Sequence, residues 1–136
     1  MTDPEFLELE DVLLIHERQL AKYGGASGMR DQGLLESALA QPRTTFGGEF
    51  VHADPFAMAA AYAFHIAENQ PFVDGNKRTG VLAAVVFLEL NGYIVEEPPS
   101  RFYEAMIAIA QRRLDKDGLA SMLREMSRPI PSGAAE

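Results

Sequence analysis

The sequence lacks cysteine altogether, and it has no long apolar run. The first absence excludes disulfide bonds and thiolate metal sites. The longest nearly uncharged apolar stretch, Gly80 to Leu88, is far shorter than the roughly 20 residues that a bilayer-spanning helix needs. The opening residues, Met1 to Glu5, are acidic and lack the basic segment that begins a secretory signal. We therefore expect a cytoplasmic protein that does not associate with membranes.

Basic residues are also scarce, since 12 lysines and arginines stand against 20 aspartates and glutamates, for a formal net charge of −8. A surface of this sign repels phosphate backbones, so the composition argues against a nucleic-acid partner. It does not exclude a local anion site, because a few well-placed donors act over distances shorter than the screening length of roughly 10 Å.

The length of 136 residues suits one domain with one hydrophobic core, and the sequence contains no internal repeat. Residues 1–128 are expected to form this domain. Residues 129–136 are rich in proline, glycine and alanine, and they are expected to form a frayed tail.

Apolar residues at helical spacing predict about six helices, which begin near residues 9, 31, 55, 76, 100 and 117. Asp54 and Pro55 form a strong start signal, because an N-cap acid precedes a proline at the first helical position. The helices that begin at Pro55 and Asn76 are the most apolar, and the alanines of the former predict close approach to its neighbours. Residues 43–53 have no helical period and predict an exposed loop or a short hairpin. The expected fold is an all-α helical bundle around two buried central helices.

A polar segment, Gln70 to Thr79, separates these two apolar helices, and six of its ten residues are polar or charged. Burying such groups without hydrogen-bond partners costs several kcal/mol, so a segment with a purely structural role would not favour them. The position of the segment therefore marks it as the candidate site of chemistry.

The residues of this segment predict an anion site. Gly75 allows a tight turn, and the backbone N–H groups that follow begin a helix, whose positive end favours phosphate. Lys77 and Arg78 add positive charge, and Asp74 supplies an oxygen ligand suited to Mg²⁺. The alternative is a capped turn with solvated charges, in which Asp74 and Asn76 are caps. The two adjacent bases favour the anion site, because a helix start otherwise prefers acids.

The stretch from Asn69 to Thr79 resembles the signature of the Fic/Doc superfamily, written HPFx(D/E)GN(G/K)R. The matching residues, in order, are Pro71, Phe72, Asp74, Gly75, Asn76, Lys77 and Arg78. Further segments resemble the Doc branch, namely Ile15-His16, Tyr23 to Gly25, Gly28 to Asp31, Gly33 to Leu39, Phe87-Leu88 and Asn91-Gly92. The resemblance extends from about residue 6 to residue 126.

The resemblance implies a toxin of a type II toxin–antitoxin system. Such a toxin uses ATP and Mg²⁺ to transfer a phosphoryl group to a hydroxyl of a translation factor, elongation factor Tu. By the same resemblance, the nucleotide phosphates are held by Gly75, Asn76, Lys77 and Arg78, and the metal by Asp74. The implied partner is a Phd-like antitoxin whose C-terminal segment folds on binding.

Other Fic proteins transfer AMP to protein hydroxyls, so AMP transfer is the alternative activity. Lys77 stands where AMP-transferring members usually have glycine, and Val81 stands where they usually have a second arginine. Both departures favour the Doc type. A third reading is a Fic-fold protein that binds a nucleotide or an antitoxin without catalysing transfer.

The position of the family's catalytic histidine, immediately before Pro71, is occupied by Gln70. Histidine suits this role because its pKa near neutrality lets it accept the proton of the target hydroxyl. A glutamine amide can position a hydroxyl but cannot take its proton. We therefore expect this chain to be inactive or nearly so. Two explanations stay open: a substitution that disables a toxic protein, which the intact remainder of the motif favours, and a natural loss of the base.

Several other residues invite a functional reading. His65 is a candidate substitute base, although a histidine packed within the bundle is the favoured interpretation. His16 and His52 are too scattered in sequence to suggest a metal site with it. By position, loop 43–53 corresponds to the flap that docks the target segment in the family, and a mobile surface loop is the alternative. For the antitoxin helix, the candidate groove residues are Leu20, Met106, Met122 and Met126.

Overall fold

Six α-helices form the body of the protein in a computed structural model that describes residues 3–96 and 99–131. The helices are α1 (Leu9–Tyr23), α2 (Gln32–Ala40), α3 (Pro55–Asn69), α4 (Asn76–Leu90), α5 (Pro99–Ala110) and α6 (Lys116–Met126), with a 3-10 turn at Gln41–Arg43. Two short antiparallel ribbons complete the fold, β1 (Thr45–Phe46) with β2 (Glu49–Phe50) and β3 (Tyr93–Val95) with β4 (Ser127–Pro129). The all-α prediction with about six helices is confirmed, and the loop at residues 43–53 contains the hairpin.

Helices α3 and α4 lie at the centre, as their composition predicts. Helix α3 contacts α2, α4, α5 and α6, and α4 also contacts α1 and α5. Helix α3 begins at the expected signal, because the Asp54 Oδ1 accepts hydrogen bonds from the N–H groups of Phe56 and Ala57, both at 2.9 Å. A Cβ at Gly80 would lie 2.8 Å from the backbone oxygen of Ala63, so α4 can approach α3 this closely only with glycine there.

The hydrophobic core surrounds this helix pair. Tyr62 of α3 and Phe87 of α4 are fully buried, and their rings lie 5.1 Å apart. The hydroxyl of Tyr62 accepts a hydrogen bond of 2.9 Å from the Leu7 N–H, which satisfies the polar end of the buried ring. Within the part of the chain that the structure describes, no helix combines the length and hydropathy needed to cross a membrane.

The prediction of a frayed tail from residue 129 is wrong for its first residues. Ser127–Pro129 pairs with Tyr93–Val95, and the Ile130 N–H then donates to the Gly92 oxygen at 2.8 Å. The composition of the tail predicts disorder because it carries no information on β3. The backbone of β3 comes alongside these residues only in the folded chain. Residues 132–136 lie outside the described residues.

Candidate functional site

Residues 70–75 of the polar segment form a loop between α3 and α4, and both ends of this loop have left-handed backbone. Gln70, the C-cap of α3, has φ 48° and ψ 57°, and its N–H donates to the Ile66 oxygen at 3.2 Å. Gly75, the N-cap of α4, has φ 76° and ψ 20°. A left-handed residue other than glycine costs about 1–2 kcal/mol, so the fold holds Gln70 in a strained conformation with its side chain exposed.

The loop is clamped to the segment that precedes α2. The Pro71 oxygen accepts hydrogen bonds from the N–H groups of Arg30 (2.7 Å) and Asp31 (3.0 Å), and the Val73 N–H donates to the Gly28 oxygen at 3.0 Å. These backbone bonds form a short antiparallel bridge. The middle of the loop therefore has little freedom to move.

The side chain of Arg30 reinforces this clamp. Its guanidinium donates to the backbone oxygens of Gln70 (2.7 Å) and Asn69 (2.9 Å), which are the last carbonyls of α3. A cation at the negative end of a helix is favourable. Arg30 thus stabilises the strained backbone of Gln70, the residue at the position of the motif histidine.

Helix α1 supports the other side of the loop through His16. The His16 ring stacks on Phe72, with centroids 3.7 Å apart and planes 7° apart. Its Nε2–H donates to the backbone oxygen of Asp74 at 2.9 Å. The amide of Asn76 closes the loop from within, because it accepts from the Phe72 N–H at 2.9 Å and donates to the Phe72 oxygen at 3.0 Å. The side chain of Asn76 is thereby occupied, which leaves its backbone N–H for a ligand.

The start of α4 has the properties of an anion site. Among the described residues no side chain caps it, and the first backbone bond of the helix runs from the Thr79 N–H to the Gly75 oxygen at 2.9 Å. The three N–H groups before it, those of residues 76–78, lie at the positive end of the helix dipole. Uncapped donors of this kind favour phosphate.

A cavity of about 280 Å³ opens over this helix start. Its lining residues are Ala67, Gln70, Val73, Asp74, Gly75, Asn76, Lys77, Arg78 and Tyr103. All six residues that the sequence assigns to the site therefore meet at one cavity. They meet because residues 70–78 are consecutive and span only the end of α3 and the first turn of α4.

The carboxylate of Asp74 lies exposed at this cavity. One oxygen accepts from the Ala26 N–H at 3.1 Å and the other from the Gly75 N–H at 2.8 Å. No cluster of three or more potential metal ligands occurs within residues 3–96 and 99–131. A cation bound here would thus take one protein carboxylate and complete its coordination with ligand oxygens and water, as Mg²⁺ does beside phosphates.

Arg78 and Tyr103 line both this cavity and a second one of about 310 Å³. The second cavity is lined by Tyr23, Arg78, Val81, Leu82, Ser100, Tyr103 and Glu104. The guanidinium carbon of Arg78 lies 4.6 Å from the ring centroid of Tyr23 and 5.0 Å from that of Tyr103. Two aromatic faces therefore hold the arginine in place through cation–π contacts.

His65 is a packed histidine, as the favoured interpretation of the sequence has it. Lys116 donates to its Nε2 at 3.1 Å, and the ring lies edge-on to Phe64. Burial, reinforced by the positive charge of Lys116, lowers the pKa of His65 to about 4. Its imidazole is therefore neutral at pH 7, and it does not line the cavity over α4.

Sequence reasoning assigned no role to His16 and Arg30, which hold the loop, or to Gln19, which packs against Gly75. His16 and Gln19 are buried together with Val12 on one face of α1. Polar residues at helical spacing on an otherwise apolar face were the available signal. Arg30 lies in a segment that resembles the Doc branch, but the resemblance gave it no role, and its two acceptors lie about 40 positions away in the sequence.

The four candidate groove residues differ in how far their side chains are exposed. Met106 and Met126 are 1% and 3% exposed and belong to the core, so neither is available to a partner. Leu20 and Met122 are half-buried. Helical periodicity places the methionines on an apolar face, but it cannot tell a face covered by this chain from one left open.

Comparison with known proteins identifies the family. The model of the Fic/DOC family matches residues 6–88. Toxin Doc of Mycolicibacterium smegmatis is 34% identical over 131 residues, which cover 95% of this chain and 98% of that protein. Protein kinase doc of Escherichia phage P1 is 28% identical over 117 residues, which cover 86% of this chain and 91% of that protein. The chain belongs to the Fic/DOC family, and its similarity to these two proteins places it in the Doc branch.

Proposed function

We propose that this protein is a Doc-type toxin, of the kind that transfers a phosphoryl group from ATP to a hydroxyl of elongation factor Tu, and that Gln70 leaves this chain slow or inactive. The observation that carries the proposal is the uncapped start of α4, which shares one cavity with Lys77, Arg78 and Asp74. The names of the two relatives, a toxin and a protein kinase, support the same class of activity.

The residues at the cavity fit a nucleotide triphosphate with its cation. Three backbone N–H groups and two basic side chains are donors for phosphate oxygens. Asp74 would hold Mg²⁺, which when bound neutralises charge that develops on the transferring phosphoryl group. Tyr23 and Tyr103 already restrict the side chain of Arg78, so contact with phosphate costs it little further conformational entropy.

Gln70 limits the activity of this chain. It lines the cavity at the end of α3, so its amide can hydrogen-bond to a target hydroxyl. It has no proton equilibrium near pH 7, and the absence of a general base typically slows transfer by about 10²- to 10⁴-fold. We infer a protein that binds nucleotide and transfers phosphate slowly or not at all.

Transfer of the γ-phosphoryl group is favoured over transfer of AMP. Val81, at the position of a second arginine in AMP-transferring members, is 3% exposed and borders the second cavity beside Leu82. Apart from Arg78, the described residues that line that cavity include no cation to hold a further phosphate. A triphosphate would therefore bind through the single basic end of the site at Lys77 and Arg78.

We propose one surface for each of the two protein partners. The exposed hairpin β1–β2, with Phe46 85% exposed, is the proposed dock for the target segment. The second cavity lies between α1, α4 and α5 and is largely apolar around Tyr23, Leu82 and Tyr103. We propose that a helix formed by the C-terminal segment of a Phd-like antitoxin binds there.

Restoring the histidine tests the proposed activity. The Gln70→His variant is incubated with elongation factor Tu and ATP labelled at either the α or the γ phosphate, and the chain as it stands and Gln70→Ala are the controls. We expect label from the γ phosphate alone on the target, and much faster in Gln70→His. Label from the α phosphate would establish AMP transfer instead. No transfer with either label, while nucleotide still binds, would identify a binding protein.

A further inference from the structure

A basic cluster that the proposed site does not include lies where the chain turns from α5 into α6. Arg112, Arg113 and Lys116, here called the basic corner, line a cavity of about 800 Å³. Phe64 and Leu114 give the same cavity apolar lining. Only 12 residues of the chain are lysine or arginine, and its net charge is −8. Three bases within five positions are therefore a local exception to the sign of the whole protein.

The charges of the basic corner are not neutralised by neighbouring acids. Glu68 and Asp115 also line the cavity, but among the described residues neither forms an ion pair with a base of the corner. The Asp115 Oδ1 instead accepts a hydrogen bond of 2.7 Å from the Gly118 N–H and caps α6. Three bases against two acids leave the lining net positive, and the side chain of Arg112 is exposed.

Arg112 has a left-handed backbone, with φ 61°, at the end of α5. Its N–H donates to the Ile109 oxygen at 3.0 Å, and the Arg113 N–H donates to the Ala108 oxygen at 2.8 Å. Glycine is the usual left-handed residue at such a helix end, because it has no Cβ to clash with the backbone. The side chain of Arg112 forms no hydrogen bond or ion pair with the described residues that would offset this strain. Backbone strain of this kind is concentrated at functional sites.

The basic corner lies beside the cavity over α4. Phe64 and Glu68 line the cavity of the basic corner, whereas Ala67 and Gln70 line the one over α4. The helical repeat places these two pairs on neighbouring sides of the last turns of α3, and an α-helix has a diameter of only about 10 Å. A protein bound at the basic corner is therefore close to the candidate site.

The basic corner also borders the hairpin β1–β2. His52 follows the hairpin directly, and burial together with the positive charge of Lys116 lowers the pKa of His52. Lys116 donates to the Nε2 of His65 at 3.1 Å, which holds this base against α3. The hairpin, the basic corner and the cavity over α4 thus border one another around α3.

We propose that the basic corner docks an acidic segment of the protein that receives the phosphoryl group. Carboxylates of that segment pair with Arg112, Arg113 and Lys116, and its apolar side chains contact Phe64 and Leu114. This contact lies outside the phosphate site, so it increases affinity for the target and takes no part in the transfer. The inference rests on the proposed function, and it adds a second contact to the one proposed for the hairpin.

Arg112→Gly and Arg112→Gln test the proposal, because both remove the charge and only glycine removes the strain. Calorimetry should show that elongation factor Tu binds either variant about fivefold more weakly than the unaltered chain. The difference should shrink as salt is raised, because salt screens exposed charges. The melting temperature should rise by a few degrees in Arg112→Gly alone. A more stable protein that binds its target less well is not expected from a purely structural arginine.

The matched control is Arg18→Gln, which removes an exposed positive charge on α1 that does not line this cavity. It should bind elongation factor Tu as the unaltered chain does. Unchanged affinity in both Arg112 variants would overturn the proposal. So would an equal loss of affinity in Arg18→Gln, since net charge alone would then account for the effect.

Kinetics in the Gln70→His background separate this inference from the function on which it rests. There, Arg112→Gln should raise the KM for elongation factor Tu and leave kcat and the KM for ATP unchanged. If elongation factor Tu neither binds nor is modified, the proposed function fails and the docking role fails with it. If it binds or is modified, and the Arg112 variants match their parent proteins, the docking role fails alone.

Discussion

The imidazole of His16 lies flat against the phenyl ring of Phe72, 3.7 Å from centroid to centroid. One ring belongs to the first helix of the chain and the other to the loop before α4, so this contact joins the two parts across the core. His16 also donates to the backbone at Asp74. The shape of the loop before α4 therefore depends on α1 as much as on the motif itself.

The first prediction concerns that contact. His16→Ala should lower the free energy of unfolding by about 2–4 kcal/mol, because it removes the stacking and leaves the Asp74 oxygen without its donor. His16→Phe keeps an aromatic ring on Phe72 and should lose less. Urea denaturation of the three proteins measures the difference. Equal stability of His16→Ala and the unaltered chain would show that α1 does not hold the loop.

Gly75→Ala should destabilise the protein more than the replacement of a glycine that has a similar φ but open space around it. The added Cβ combines left-handed strain of about 1–2 kcal/mol with overpacking of about 1–3 kcal/mol against Gln19. Gly47→Ala is the matched control, because φ is 62° there and no atom lies within 4 Å of the added Cβ. Thermal denaturation of both variants checks the ranking. A loss no greater than that of Gly47→Ala would contradict the packing against Gln19.

Lys77→Ala should weaken binding of ATP with Mg²⁺ by about 10- to 150-fold, because a charged hydrogen bond contributes about 1.5–3 kcal/mol. Lys77 is a cleaner probe than Arg78, whose removal also disturbs Tyr23 and Tyr103. Arg113→Ala removes a positive charge that does not line the cavity over α4, and it should leave affinity unchanged. Titration calorimetry measures all three proteins. Undiminished binding by Lys77→Ala would refute the assignment of this side chain to the phosphate site.

His65 should make stability depend on pH in a definite direction. Its pKa falls from 6.5 to about 4 on folding, so between these values the unfolded chain binds more protons than the folded one. The free energy of unfolding should therefore decrease as the pH falls from about 6.5 toward 4. Burial also lowers the pKa of His52, which contributes with the same sign.

The contribution of His65 can be isolated with His65→Gln, which keeps an acceptor for Lys116 but does not titrate. Urea midpoints measured from pH 7 to pH 4.5 should fall less steeply in this variant than in the unaltered chain. If the urea midpoints of the two proteins depended on pH in the same way, the imidazole of His65 would not be desolvated in solution.

Toxicity provides the cellular test of the proposed function. Expressed in bacteria without an antitoxin, Gln70→His should arrest growth, while the chain as it stands should be tolerated, because only the proton acceptor differs. Gln70→His combined with Lys77→Ala should be tolerated again, since the restored base would lack its nucleotide. Growth that is unaffected by Gln70→His would exclude a toxin disabled solely at this position.

Sequence alone determined the helices and the place of the site. Apolar spacing, the Asp54-Pro55 start and the breaks at Pro71 and Gly75 are local signals, and the structure has α3 and α4 where those signals predict them. The six candidate site residues also meet at one cavity because they are consecutive or nearly so. Short-range sterics and hydrogen bonding suffice for such features.

Tertiary structure alone decided what holds that loop in shape and which surfaces remain open. Arg30 reaches carbonyls about 40 positions away, Gln19 lies behind Gly75, and β4 pairs with β3 to tie down residues assigned to a frayed tail. Met106, an apolar residue suited to a groove, is instead covered by the core. These outcomes depend on which helices pack together, and a periodic pattern states only which face of each helix is apolar.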